Sequence, residues 1–305
     1  MAAKDFEWSQ LDELEQIDKD GYKWEGLKHM RKTFQPKRTK FRNKQGQPIH
    51  EKDFAKAAAS YLAEEQWSKP PDNPENDSYN QTPLIEGNST MKADNFHLNE
   101  LNEIIDSQKN NKSPGPDACR SELTKWLDVT NRILLLGLIN EIYTTGVYPG
   151  SLKLANIVSI YKKGDSTKME NYRPIALLQV FYKILAGLIR GRLMAAYDPW
   201  VQKTQYGFRP NKSTSQAVFI ARRLMDIAER TGSKLTTIPD LEKAFDKVHQ
   251  DRLLQVMRRL KVPDTMYNLI EHIYADPKFK VTTDAGQSEY RTQDSGIRQG
   301  CPLSP

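Results

Sequence analysis

Residues 68–92 divide this chain. Pro70, Pro71, Pro74 and Pro83 stand there among Asn, Asp and Ser. A stretch with so little to bury cannot offset the entropy lost on ordering it, so it reads as a flexible linker. Whatever packs must lie on either side: a helical, basic extension over residues 1–67 and a larger unit over residues 93–305. Of the 305 residues, 38% are hydrophobic, which is enough to fill a core of that size.

In the extension, residues 28–44 hold eight Lys/Arg and no acid. Glu51 to Trp67 is Ala-rich, with an apolar stripe at Phe54, Ala58, Tyr61 and Leu62 that predicts a helix. Beyond the linker a short helix is expected around His97 to Ser107, and Lys112-Ser113-Pro114-Gly115-Pro116-Asp117 is a turn by its Gly/Pro punctuation. Leu127 to Tyr143 predicts a buried helix closed by Gly146, and Leu154 to Tyr161 a strand ending at Lys162-Lys163-Gly164-Asp165. After Asn171-Tyr172-Arg173-Pro174 the apolar positions Leu177, Phe181, Ile184, Leu185, Leu188 and Ile189 predict one long helix to about Tyr197, with the proline at its start. Ser213 and Gln216 form a capping box for a helix ending at Gly232. A strand over Leu235 to Leu241, helices from about Gln250 to Leu260 and Asp264 to Tyr274, and a hairpin turning at Asp284-Ala285-Gly286-Gln287 complete the expectation. Mixed helices and strands in this order predict an α+β fold.

Charge is unevenly spread. Residues 151–225 carry 13 Lys/Arg against 3 Asp/Glu, whereas the whole chain is only +6. A block of this kind suits phosphate backbones, though a solvated basic surface has the same composition. Cys119 and Cys301 belong to no Cys/His cluster, so neither zinc site nor disulfide framework follows. The amino terminus lacks the apolar core of a signal peptide, and the longest strongly apolar run, Ile133 to Ile139, is too short to span a bilayer. A soluble, intracellular protein with no membrane contact is expected.

The chemistry concentrates at Asp240-Leu241-Glu242-Lys243-Ala244-Phe245-Asp246. Nucleotidyl transfer needs two Mg²⁺ about 4 Å apart, held by carboxylate oxygens. A carboxylate ending a strand can supply one ligand, Asp240, and the Leu241 carbonyl another, but further carboxylates must come from elsewhere. Phe245 either excludes a ribose 2′-hydroxyl or packs the start of the next helix. Lys162, Lys163 and Arg173 flank a turn where they could close on a triphosphate, lysine as a mobile charge and arginine as a bidentate fork, or could line a solvated turn. Tyr206, Phe208, Arg209 and Lys212 interleave aromatic and basic side chains before a helix N-terminus, suiting stacking and phosphate contact; a loop plugging the core explains the same residues. Gln299-Gly300 offers an amide and a place for close backbone approach.

In order, Lys-Lys-Gly-Asp, Asn-Tyr-Arg-Pro-Ile, Gly-Phe-Arg-Pro-x-Lys-Ser-Thr, Asp-Leu-Glu-Lys-Ala-Phe-Asp-Lys-Val and Gly-x-Arg-Gln-Gly-Cys-Pro-Leu-Ser-Pro closely resemble the reverse transcriptase of non-LTR (LINE-type) retrotransposons. The resemblance covers roughly Lys112 to Pro305. Residues 1–67 look like the segment that joins an upstream endonuclease to the polymerase in that family. It implies the fingers and the first part of the palm of a right-hand polymerase, a nucleotidyltransferase that takes an RNA template, a DNA primer, dNTPs and Mg²⁺. By the same resemblance Asp240 is the first metal-binding aspartate, with the Leu241 carbonyl beside it, and Phe245 is the sugar gate. Lys162 or Lys163 and Arg173 contact the triphosphate, and Gln299-Gly300 belongs to the nucleotide pocket.

Three features depart from the family pattern. Its paired Asp-Asp would fall after Pro305, so the 305 residues alone are expected to be inactive. Pro239 replaces an ordinary strand residue, as decay or as a bulge. Asp117-Ala118-Cys119-Arg120 stands where Asp-Gly-Ile-Pro is commoner. A group II intron-type reverse transcriptase, or a nucleic-acid-binding relic without chemistry, are the competing readings.

Overall fold

The computed structural model describes residues 41–43, 45–69, 83–85, 90–234 and 243–304. Most of the extension, much of the linker, and the expected strand over Leu235 to Leu241 with Pro239 and Asp240 lie outside them. The described chain is an α+β fold. Its helices are α1 (Phe54–Tyr61, continued by a π-helical turn Leu62–Gln66), α2 (Leu98–Ser107), α3 (Ser121–Lys125) and α4 (Val129–Thr145). After these come α5 (Val180–Tyr197), α6 (Thr214–Thr231), α7 (Gln250–Arg259) and α8 (Asp264–Tyr274).

Five described strands form one sheet: β1 (Leu154–Tyr161), β2 (Tyr172–Leu177), β3 (Lys278–Thr283), β4 (Gly286–Gln287) and β5 (Arg291–Thr292). The order is β2-β1-β3-β4, with β5 also pairing β3. β1 and β2 are antiparallel, with Ile160 opposite Arg173 and Tyr161 opposite Tyr172. β1 and β3 are parallel, with Ile157 opposite Val281. Alternation along the strands turns Ala155, Ile157, Ala176, Phe279 and Val281 into the core, as a period of two requires. Each fully buried Ile or Phe of this set stabilises the fold by about 1.5–3 kcal/mol.

Tyr172–Leu177 is a strand, where the sequence pattern predicts the start of a helix; α5 begins only at Val180. Proline disfavours the helical region for the residue before it, here Arg173. β2 is also an edge strand of the described sheet, which tolerates a missing donor. The Ala176 N–H, two residues on and so pointing the same way as position 174, donates outward to the Gln299 carbonyl at 2.8 Å. Pro174 therefore removes no bond of the β1–β2 ladder.

α4 differs from expectation in its burial. Ile139, Ile142 and Tyr143 are buried, but Val129, Ile133, Leu134 and Leu138 are exposed. Apolar residues surround the whole circumference of this helix, so a single packed face leaves the rest in solvent. α6 has its capping box and its left-handed Gly232 cap as predicted, yet none of its residues is buried.

The residues ahead of the linker share one hydrophobic core with those after it. Ala58, Leu62 and Trp67 belong to the same cluster as Phe96, Ile157, Ile184 and Phe279, and the Trp67 ring meets Phe279 edge-on at 4.8 Å. The start of the second unit is tied down by Arg192 of α5. Its guanidinium makes a bidentate bond to Glu100 at 2.9 Å, donates to the Asn95 carbonyl, and lies 4.2 Å from the centre of the Phe96 ring. No helix among the described residues is long and apolar enough to cross a membrane.

Candidate active site

The turn Lys243–Lys247 follows the Asp240 motif and is held by backbone bonds. Asp246 and Lys247 both donate to the Lys243 carbonyl, at 3.0 and 3.1 Å. Lys243 has φ 53°, a left-handed conformation uncommon for a residue with a Cβ. Segment 296–301 runs against this turn. Ile297 N–H donates to the Phe245 carbonyl at 2.9 Å, and Gly296 N–H to Val248 at 2.8 Å. Gly296 has φ +77°, and a Cβ there would sit 2.7 Å from the Asp246 carbonyl oxygen, so only glycine fits.

The same segment then docks on the outer edge of β2. Gln299 accepts from Ala176, and Gly300, at φ +113°, approaches so closely that a Cβ would lie 2.7 Å from the Ala176 oxygen. Buried Arg298 anchors the passage by donating to the carbonyls of Lys153 and Lys278, where β1 and β3 begin. The sequence reading missed this residue; an arginine between Ile297 and Gln299 in a glycine-flanked segment was the available sign. Gly300→Ala is expected to destabilise the chain by about 1–3 kcal/mol, the cost of one disallowed backbone conformation, and the shift of the denaturant midpoint measures it. An unchanged midpoint removes the close approach from the argument.

These contacts bring together residues far apart in sequence. Arg173 lies three residues before Ala176 on β2, about 10 Å along a strand. Lys162 and Lys163 follow β1 at the same hairpin, where the Lys162 N–H donates to Asn171 at 2.9 Å. All three cations are exposed, and none has an ion-pair or hydrogen-bond partner for its side chain among the described residues. Asp165 is no ligand in waiting: it accepts from the Thr167 N–H and hydroxyl, bonds that hold its carboxyl below the ordinary value.

Phe245 is half-buried, and its ring meets Phe208 at 5.7 Å and 69°. Phe208 is 58% exposed and has φ 62°. Lys212 reaches over the Tyr206 ring at 5.7 Å. Arg209 is engaged within its own loop. Its guanidinium grips Asp198 at 2.8 and 3.0 Å and donates to the Gln202 carbonyl at 2.9 Å, and only 12% of its side chain is exposed. The hydrogen bond from Arg209 in turn holds the Asp198 carboxyl below its usual value. Arg209 braces the loop that presents Phe208, a pairing across 11 residues that no local pattern in the sequence marks.

Asp240 and Leu241, the expected metal ligands, lie outside the described residues. Their donors, a carboxylate and a carbonyl oxygen, are the hard oxygen ligands that suit Mg²⁺. Among the described residues no group of three or more His, Cys, Asp or Glu gathers to hold a metal ion. Asp246, the described acid next in sequence, is buried and accepts from Trp67.

A groove of about 380 Å³ lies where α2 and its following loop face α5. Lys109, Lys112, Lys183 and Arg190 line it, with Gly187 and Gly191 on its α5 side. Burial pulls the Lys183 ammonium below its ordinary value, against an opposing pull from Asp117. Arg190 also donates to the Phe208 carbonyl at 3.4 Å, joining the groove to the Phe208–Phe245 contact. The basic block over residues 151–225 includes Lys183 and Arg190 but singles out neither, and Lys109 and Lys112 lie outside it. Lys183, Gly187 and Gly191 at four-residue spacing were a legible sign of a helix face kept low beside a charge.

Residues 160–305 match the reverse transcriptase (RNA-dependent DNA polymerase) family. That stretch therefore belongs to the reverse transcriptases. Within them, its relatives place it with the non-LTR, LINE-type retrotransposon enzymes. It is similar to the Transposon TX1 uncharacterized 149 kDa protein of Xenopus laevis, 30% identical over 68% of this chain and 16% of that protein. It is also similar to the RNA-directed DNA polymerase from mobile element jockey of Drosophila funebris, 29% identical over 74% of this chain and 25% of the relative. The probable RNA-directed DNA polymerase from transposon BS of Drosophila melanogaster is 28% identical over 69% and 24%. The chain thus spans a quarter or less of these relatives' length.

Proposed function

We propose that this chain supplies the fingers and the start of the palm of an RNA-directed DNA polymerase that joins dNTPs to a DNA 3′-hydroxyl on an RNA template. The observation that carries the reading is the path of segment 296–301. It bonds to Phe245 at one end and docks on β2 at the other, so Gln299 and Gly300 lie between Phe245 and the strand that carries Arg173.

In this reading the Asp240 carboxylate and Leu241 carbonyl, with carboxylates from the rest of the palm, would hold Mg²⁺, which would supply activation of the 3′-hydroxyl and neutralisation of pyrophosphate charge. Lys162, Lys163 and Arg173 neutralise the triphosphate from the fingertip, which their exposure and the absence of side-chain partners among the described residues support. Gln299 and the open backbone at Gly300 orient base or sugar, and Phe245 fills the space a 2′-hydroxyl would need. Residues 1–67 act as an extension whose described part packs into the polymerase core from Ala58 to Trp67, and residues 68–92 as the link between them. The test is primer extension on an RNA template by a longer polymerase chain containing these residues. Incorporation that ignores Asp240 would defeat the reading.

A second role, nucleic-acid binding by these 305 residues themselves, is favoured by the four-cation groove. Single-strand binding is expected to weaken steeply with salt. Replacing Lys109, Lys112 and Lys183 together by Ala should lower the log–log salt slope by about 2, at roughly 0.7 per lost phosphate contact on a single strand. A parallel variant lacking Lys162, Lys163 and Arg173 measures the fingertip's share. Fluorescence titration at several salt concentrations gives both slopes, and a groove variant with the parent slope removes the groove from the nucleic-acid path.

A further inference from the structure

We infer that Trp67, in the segment ahead of the linker, is a positioning residue for the turn that carries Phe245, so that this segment sets the geometry of the nucleotide pocket. The inference rests on the pocket assignment proposed above.

Trp67 is 1% exposed and Asp246 4% exposed, and the Trp67 Nε1–H donates to Asp246 Oδ1 at 2.9 Å across 179 residues of sequence. Filling the core needs only the ring, which already packs edge-on against Phe279. An apolar residue at 246 would serve that purpose without the cost of burying a carboxylate. What the bond adds is direction: a buried carboxylate with a charge-assisted partner has one favourable orientation. Asp246 is the residue next to Phe245, so fixing its side chain fixes the backbone from which the Phe245 ring projects.

A second contact from the same segment acts on the other end of the turn. Lys243 Nζ donates to the Tyr61 hydroxyl at 3.2 Å and lies 5.8 Å from the centre of that ring. Lys243 holds a left-handed φ of 53°. Such a conformation persists in a non-glycine residue when its surroundings over-determine it. Here they do so from two sides. Segment 295–297 grips the backbone through Ile297–Phe245, Gly296–Val248 and Ser295–Asp246. Tyr61 and Trp67 grip the side chains of Lys243 and Asp246. Reacting groups in a polymerase site must be placed to within a fraction of an ångström, and a 1 Å error costs on the order of 10²-fold. The second grip is therefore expected to be read out in nucleotide handling as well as in folding.

The experiment has two arms. In the 305-residue chain, Trp67→Phe keeps a ring against Phe279 and removes only the N–H. Hydrogen exchange at the Asp246, Lys247, Gly296 and Ile297 amides is expected to rise about tenfold, the factor that goes with one lost charge-assisted hydrogen bond, while amides in α5 stay unchanged. Asp246→Asn keeps an acceptor oxygen for the indole and should retain the protection. Asp246→Leu should reproduce Trp67→Phe. Unchanged exchange in both Trp67→Phe and Asp246→Leu, or a rise shared equally by α5, would overturn the inference by making Trp67 core filler.

In a longer chain that extends primers, Trp67→Phe is expected to raise the dNTP KM and erode ribonucleotide exclusion by about tenfold, with kcat changed by less than about twofold. Unchanged KM and exclusion would overturn the nucleotide half. Absence of primer extension in the parent long chain defeats the pocket assignment, and the nucleotide half with it. The exchange arm still decides whether Trp67 fixes the turn.

Discussion

Asp240→Asn is expected to abolish primer extension, with a loss of at least about 10³-fold, in a polymerase chain that contains the remaining palm carboxylates. An amide presents one neutral oxygen where a divalent ion needs anionic ligands, so the ion that activates the 3′-hydroxyl loses its principal holder. No described acid stands ready to replace it, because Asp246 is buried and already accepts from Trp67. A single-nucleotide incorporation assay with Mg²⁺ reads the loss. Extension by Asp240→Asn within tenfold of the parent would move the metal site elsewhere.

Much of this architecture was legible because its signals are local. β1 was expected at Leu154–Tyr161 and is found there. Ser213 and Gln216 marked the start of α6, and both capping bonds form. α7 and α8 begin where helical periodicity begins, and the hairpin after Phe279 turns where Asp284 to Gln287 said it should. What remained hidden depends on partners distant in sequence. Pro174 looked like the first residue of a helix, since nothing nearby shows that β1 waits beside it with its outer edge free for Gln299. That Arg209 pairs with Asp198 was hidden as well, because a loop sets the two apart in sequence. The apolar residues of α4 promised burial, yet its periodicity could not say how many neighbours would arrive.

The candidate site divides in the same way. Its candidate residues stand out as motifs, but the contacts among them do not. The bonds that gather it run from Ile297 to Phe245, from Gln299 to Ala176 and from Trp67 to Asp246. The third crosses a proline-rich stretch that composition marks as a boundary. That stretch is not the bare linker its composition suggests, since Ile85 and Met91 within it are buried in the same core; it still allows the segment before it to fold back, because the entropic cost of closing a loop grows only with the logarithm of its length.

Phe245→Ala, in a chain that extends primers, is expected to lower discrimination between deoxy- and ribonucleotides on the order of 10²-fold, while incorporation of dNTPs falls far less. A steric gate works by refusing space. Removing the ring opens room for a 2′-hydroxyl and leaves the proposed metal ligands, four and five residues earlier in the chain, untouched. The stability cost should stay below the about 3–5 kcal/mol of deleting a fully buried phenyl, because Phe245 is only half-buried. Phe208 supplies the control. Its ring meets that of Phe245 edge-on at 5.7 Å and is itself largely exposed, so Phe208→Ala should loosen the gate without removing it and give a smaller loss of the same kind. Competition between dNTP and the matching rNTP on an RNA template gives both ratios. If Phe245→Ala leaves discrimination unchanged while lowering the denaturant midpoint, the ring packs the turn and excludes nothing.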